Sequence, residues 1–313
     1  MKSFHRYGLP FTLAVLFAMF ASISPTFPTL ANLHSLLMNH VALLSLIALA
    51  MTLVVAAGGI DLSVGTAVDM AGFAFIASLA NGLPALLAIL FGLIAALGVG
   101  LFNAVLVAGI RVPPFLATLG TLFIGHSVQQ LSTGGGVPIY LIAGPPRPIF
   151  SEVDMARPWL SLAAIAVVLV VLDFSVFGRR IVAEGIAPAV ARFSGLSVRR
   201  DIGLVMLGST LLTGIAGIAL SSGVHSYSPL SGNAYLMDAI GATFLGTTFD
   251  ANRRANVIGT ILGVLLLSTV KNGLLLAGVS FYWQQVANGT LIFTVLAISF
   301  STKGKEATAL SGH

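Results

Sequence analysis

The chain has 313 residues, of which 57% are hydrophobic and 8% charged, with a formal charge of +5 and a mean hydropathy of +1.01. A soluble domain carries about 25% charge, so this chain lacks the charge to cover a water-facing surface. The absence of cysteine excludes disulfides, thiolate metal sites and cysteine nucleophiles, and long apolar runs in place of short alternating strands exclude an outer-membrane barrel.

A crossing helix needs about 20 apolar residues. No Asp, Glu, Lys or Arg occurs between Arg6 and Asp61, Asp69 and Arg111, Asp201 and Asp238, or Lys271 and Lys303. Ten spans are predicted in chain order: 9–27, 36–57, 63–80, 83–109, 115–133, 158–177, 202–223, 235–249, 256–272 and 281–300. The first follows Lys2 and Arg6 but leads to no A-x-A-like cleavage site, so it reads as a retained helix rather than a signal peptide. The eighth is short enough to be re-entrant.

Two connecting segments stand out. Residues 134–157 open with Gly134, Gly135 and Gly136 and carry Pro138, Pro145, Pro146 and Pro148. That density of helix breakers predicts a non-helical loop on the outer face. Residues 178–201 hold five arginines and are predicted to be cytoplasmic. Within them Pro188 suits a first helical turn and Gly195 a helix end, which predicts a short helix between. The stretch 302–313 reads as a disordered polar tail.

With the N-terminus inside and ten alternating spans, twelve basic residues fall in the cytoplasm and only Arg147, Arg157 and Lys271 outside. This positive-inside asymmetry predicts an all-α, polytopic membrane helix bundle, N-in and C-in, with 1–313 as a single transmembrane domain. The scattered basic residues are explained by this topology and give no nucleic-acid surface. Gly259 with Gly263, and Ala96 with Gly100, are small-residue pairs suited to helix contacts.

Little in the chain reads as catalysis. None of the six histidines (His5, His34, His40, His126, His225 and His313) has a carboxylate or another histidine at i, i+4, so no metal site is predicted. No G-x-S-x-G elbow occurs. Nor is there a G-x-x-x-x-G-K-[ST] phosphate cradle. The chain is read as a non-enzyme with no cofactor.

The segment GGIDLSVG, residues 58–65, carries more information. Asp61 can cap the start of the third span, or take part in a solute path or gate, since ionisable groups at membrane depth are costly and often functional. The other candidates for a solute path are amides inside spans: Asn103, Gln129, Gln130, Gln284, Gln285 and Asn288, with Trp283 and Tyr282 beside them. Amides and aromatic faces suit a sugar. The same amides could instead bond between helices.

GGIDLSVG closely resembles a motif of the permease subunits of bacterial ribose-type sugar importers driven by ATP, within the branched-chain amino acid and ribose permease superfamily. VPPFLATLGT at 112–121, FGRRIVAEGIAPAVARFSGLSVRR at 177–200, LMDAIGATFLGTT at 236–248 and KNGLLLAGVSFYWQQVANG at 271–289 continue that resemblance in order. The chain departs from the family at Ala187-Pro188-Ala189-Val190, where an Asn and acidic residues are usual, and at 250–256, where glycines are usual. The resemblance implies a multi-pass inner-membrane permease that imports a small solute, most naturally a monosaccharide, by alternating access. Implied partners are a cytoplasmic ATPase subunit, a periplasmic solute-binding protein, a second permease copy or paralogue, and membrane lipid. The short cytoplasmic helix would then dock on the ATPase, with Glu184, Pro188, Phe193 and Gly195 as the coupling residues. Branched-chain amino acids, nucleosides or a furanone-like signal remain open as solutes. An ion-coupled transporter working alone is the rival reading; it would need a buried acidic site, for which Asp69 is the best placed residue.

Overall fold

The computed structural model describes residues 2–141, 147–250, 254–280, 282–294 and 297, with side chains from residue 7 onward. The predicted tail 302–313, Arg253 and the end of the predicted last span lie outside the described residues.

The described chain is mostly helical, with short connecting turns and one small ribbon. In order it forms α1 (Lys2–Ile23), α2 (Leu30–Ser35) leading through a π stretch (Leu36–Val41) into α3 (Ala42–Ala56), then α4 (Val64–Ala80). Next come α5 (Ala85–Ala104) with a π stretch (Val105–Ile110), α6 (Pro114–Ser132), and α7 (Pro148–Leu169) with a π stretch (Val170–Phe174). The rest is α8 (Val176–Ile186), α9 (Pro188–Phe193), α10 (Val198–Gly223), α11 (Asn233–Thr247) and α12 (Val257–Leu276). Residues 282–294 are helical as well. Among the described residues five helices are long and apolar enough to cross a membrane: Leu30–Ala56, Ala85–Ile110, Pro148–Phe174, Val198–Gly223 and Val257–Leu276. The antiparallel ribbon pairs β1 (Ile139–Tyr140) with β2 (Ser226–Tyr227).

The predicted loop 134–157 is only partly a loop. The three glycines at its start all take positive φ, of 64°, 98° and 94°, and end α6 as expected. Helix α7, however, begins at Pro148, ten residues before the predicted span. A proline in the first turn removes an N–H that has no intrahelical partner anyway, so Pro148 starts a helix where it was read as breaking one. Pro158 lies inside the same helix, a position membrane helices tolerate when neighbours satisfy the freed carbonyl.

The chain divides into two compact units, one of Ala42–Ala239 and one of Met1–Val41 with Ile240–His313. In the larger unit α3, α4, α5 and α10 pack through small residues. A Cβ on Gly100 would collide with Thr210, and one on Gly214 would lie 2.8 Å from the Cβ of Ala96, so the Ala96/Gly100 pair sits on the α5–α10 contact. In the smaller unit Gly259 and Gly263 press against the carbonyls of Gly246 and Ala242, which brings α12 onto the second half of α11. Phe20 covers Gly273 there, and Asn32 and Asn272 exchange side-chain hydrogen bonds of 2.9 and 3.1 Å. Large apolar side chains such as Leu86, Ile94, Phe123, Trp159 and Val167 point outward, as a lipid-facing surface requires.

Candidate functional site

Helix α3 ends at Ala56 and α4 begins at Val64, and the chain between them starts at an exposed Gly58 and ends with Asp61 and Ser63 buried in the bundle. Gly58 takes φ +82°, a conformation open to glycine and strained for other residues, and turns the chain toward α6. The amide of Leu62 then donates to Thr118 Oγ1 at 3.1 Å. Asp61 Oδ1 accepts from both the amide of Ser63, at 2.7 Å, and its hydroxyl, at 2.6 Å. Asn103 Nδ2 donates to Ser63 Oγ at 2.6 Å, and Thr121 Oγ1 donates to Asn103 Oδ1 at 2.6 Å. Thr118 and Thr121 lie four and seven residues past the start of α6, about 6 and 10 Å along its axis. The GGIDLSVG segment therefore runs non-helically alongside a helix, which at membrane depth is tolerated only where protein satisfies the backbone. Asp61 serves that end from a turn two residues before the cap position, Ser63, rather than as the N-cap itself.

A second interruption lies between α10 and α11. His225 and Leu230 both take positive φ, and the chain folds back against α4 and α6. Asp69 Oδ1 accepts from Ser231 Oγ and from the amide of Gly232, each at 2.8 Å. Gln129 Oε1 accepts from the amide of Leu230 at 2.9 Å and from the Tyr227 hydroxyl at 3.4 Å. His126 Nε2 lies 3.0 Å from Asn233 Oδ1. Any side chain on Gly232 would collide with the carbonyl of Gly65. Asp69, offered above as an ion-coupling group, and Gln129, offered as a path residue, both anchor this return.

Between α7 and α10 the chain builds a segment of the opposite character. Ser175 caps α8 by accepting the Gly178 amide at 2.9 Å. Helix α9 covers the residues expected of the short helix, and Gly195 closes it at φ +79°. The Leu196 amide reaches back to the Ala191 carbonyl at 3.1 Å, the long bond of a Schellman end. Ala191 is buried, whereas Phe193 is 93% exposed, with Val190 and Ile186 exposed beside it. Glu184 is also buried. It faces the Arg180–Asp201 ion pair, where Nε and Oδ2 are 3.3 Å apart. Burial first, and then the charge of Asp201, push its carboxyl up to about 7. Glu184 thus lies packed inside the segment rather than at its exposed tip.

The structure sorts the remaining candidates by exposure. Gln284 Nε2 donates to the Val279 carbonyl at 2.9 Å, and Asn288 is buried. Gln130, Gln285, Tyr282 and Trp283 are exposed. Asp61 and Asn103 share one network, and Gln129 belongs to another. Ser63, Thr118, Thr121, His126 and Ser231 complete these networks and were not picked out by sequence reasoning. Their signal was weak: a hydroxyl in an apolar helix ordinarily bonds its own preceding turn, as Thr210 does with Met206.

Residues 34–296 match the family model of the permease component of branched-chain amino acid transport systems. The chain belongs to this permease family. All five segments quoted from the sequence fall within the matched range. The chain is 32% identical over 299 residues to the ribose import permease protein of Bacillus subtilis, covering 91% of this chain and 90% of the relative. It is 31% identical over 293 residues to the ribose import permease protein of Escherichia coli K12, covering 91% of each. With an autoinducer 2 import system permease protein of an Enterobacter strain it shares 29% identity over 305 residues, covering 95% of this chain and 86% of the relative. The permease is accordingly a multi-pass inner-membrane transport protein.

Proposed function

We propose that this permease forms the import path for a monosaccharide, working with a cytoplasmic ATPase subunit, a periplasmic solute-binding protein and a second permease copy or paralogue. In this reading ten helices cross the membrane, both termini are cytoplasmic, and residues 1–313 act as one transmembrane domain. Lipid covers the outward apolar faces. The observation that carries the proposal is α9: a short helix with a glycine-closed end that displays an almost fully exposed phenylalanine. A rigid helix transmits a push that a flexible loop would absorb, and an exposed aromatic supplies a large apolar area for a groove. Pro188 and Gly195 set the two ends of the helix, Glu184 packs inside the segment, and Phe193 makes the contact.

The path residues follow from exposure. An amide on the lipid face of a membrane helix is expensive, so exposed Gln130 and Gln285, with Trp283 and Tyr282, face either a water-filled path or the second permease. Asp61, Asn103, Gln129, Gln284 and Asn288 are buried and support that path rather than line it. Identity to ribose permeases above 30% over nine-tenths of the chain favours a pentose-like solute. The test is uptake of labelled ribose into proteoliposomes holding the permease, its ATPase and its binding protein. Uptake is expected to need ATP and to survive a protonophore. Uptake by the permease alone on an ion gradient would overturn the proposal.

A further inference from the structure

A cavity of about 720 Å³ opens where the end of the α5 π stretch and the start of α6 meet the chain leading from α9 into α10. Its size falls within the range of small-ligand pockets, roughly 300–1,000 Å³. Arg111, Arg192, Arg199 and Arg200 line it together with an apolar floor that includes Val107, Pro113, Leu196 and Ile202. All four arginines are exposed, and among the described residues none of them is paired with a carboxylate. The one acid nearby in sequence, Asp201, is buried and engaged by Arg180. Four guanidinium groups around one apolar-floored cavity concentrate positive charge of the kind that attracts an anion.

We propose that this cavity binds the headgroup of an anionic phospholipid, and that the lipid seats the coupling segment against the membrane. The helix that lines the cavity also supplies a track for the acyl chains. Leu101, Val105 and Ile110 are all exposed, spaced by four residues and then, across the π stretch, by five, so they form one stripe ending at Arg111. A phosphate among arginines with its chains along an apolar helix satisfies both halves of the site. Basic pockets between helices near a cytoplasmic surface are suited to such headgroups. Positive-inside bias alone would scatter the arginines without enclosing a cavity. An acidic surface of the ATPase fits less well: the floor is apolar and continuous with the lipid-facing stripe, and Phe193, the proposed ATPase contact, does not line the cavity.

The test is retention of phosphatidylglycerol by the full-length permease during detergent delipidation, read by native mass spectrometry against phosphatidylcholine. The unmodified protein is expected to retain phosphatidylglycerol selectively. At about fivefold in affinity per basic residue, the double variant Arg111→Gln/Arg199→Gln should bind it about thirtyfold more weakly. Arg179→Gln removes an exposed charge outside the cavity and should leave retention unchanged. If the double variant fails to elute as a folded protein, Arg192→Gln and Arg200→Gln are tested singly, each with the fivefold loss expected. Equal retention of the two lipids, an unaffected cavity variant, or an equal loss in Arg179→Gln would each overturn the proposal. Retention intact in the cavity variants while the ATPase subunit no longer co-purifies would overturn it too, in favour of a protein partner.

Discussion

The GGIDLSVG segment and the α8–α9 segment invert the usual distribution of polarity, in opposite directions. The first buries Asp61, Ser63 and Asn103 completely, inside a membrane protein. The second exposes Phe193 in a stretch rich in arginine. The difference is one of partners. Asp61 Oδ1, Ser63, Asn103 and Thr121 find theirs in the same chain, at 2.6–2.7 Å, and so link α4, α5 and α6. The apolar tip of α9 finds none in its own chain and is available to another. The two segments also touch: the Cα of Gly185 would lie 2.8 Å from a Cβ on Gly58. Helix α8, which leads into α9, thus meets the turn before Asp61 through a contact between two glycines.

That contact is the place to break the comparison with the largest effect. A Cβ on Gly185 would collide with the Ala56 carbonyl and lie 2.8 Å from the Gly58 amide nitrogen, and backbone of that kind cannot give way as a flexible side chain can. Gly185→Val is expected to abolish ATP-driven uptake while the protein still inserts. Near-normal uptake by the variant would show that the two segments move independently. The next largest effect is expected at Asp61. Asp61→Ala leaves the Ser63 amide without its buried acceptor, which costs about 1–3 kcal/mol. Asp61→Asn keeps an oxygen in the same place and is expected to keep most of the stability and uptake. Thermal denaturation of the purified variants checks the first statement and ribose uptake the second. Should Asn fail as badly as Ala in uptake with its stability intact, the charge of Asp61 acts in gating and the segment is more than a joint.

Much of this was legible in the sequence, for reasons specific to each part. Long uncharged runs place the helices because lipid tolerates little else, and Pro188 and Gly195 bracket α9 because each suits one end of a helix. The start of α7 was not legible: Pro148 breaks a helix at most positions and begins one at its first turn, and only the path of the chain before it decides which. The site was half legible. Asp61, Asn103 and Gln129 stand out as polar residues in apolar runs, but their direction does not. Whether an amide lines a path or bonds a neighbour depends on which helix lies across from it, as Gln129 beside Leu230 and exposed Gln130 show within one dipeptide. Serine and threonine carry still less signal, and Ser63, Thr118 and Thr121 became visible only once α4, α5 and α6 were side by side.

Phe193 sharpens the comparison from the other side. As the exposed apolar member it should contribute to partner binding and nothing to the bundle. Phe193→Ala is expected to lower co-purification of the ATPase subunit several-fold, or to uncouple hydrolysis from uptake, with the melting temperature unchanged. A lower melting temperature with normal co-purification would place Phe193 in the bundle and the docking surface elsewhere.

The smallest effect is expected at Glu184, the one buried polar residue of the exposed segment. Its carboxyl is raised from 4.5 to about 7, first by burial and then by Asp201. Well below pH 4.5 the group is protonated whether or not the segment is packed, and its ionisation does not affect stability. Between about 4.5 and 7 the unpacked form ionises while the packed form keeps its proton, so packing loses stability as the pH rises. Above about 7 both forms are ionised and the loss is constant. Glu184→Gln mimics the protonated side chain at every pH. The variant should match the unmodified permease near pH 5 and be more stable near pH 8, with the gap opening as the pH rises to about 7. Melting temperatures of the two proteins across pH 5–8 measure that gap directly. A constant gap, or one that closes as the pH rises, would mean that Glu184 is ionised throughout and acts as a partner of Arg180. The α8–α9 segment would then be held by charge, and its contrast with the hydrogen-bonded joint around Asp61 would be sharper still.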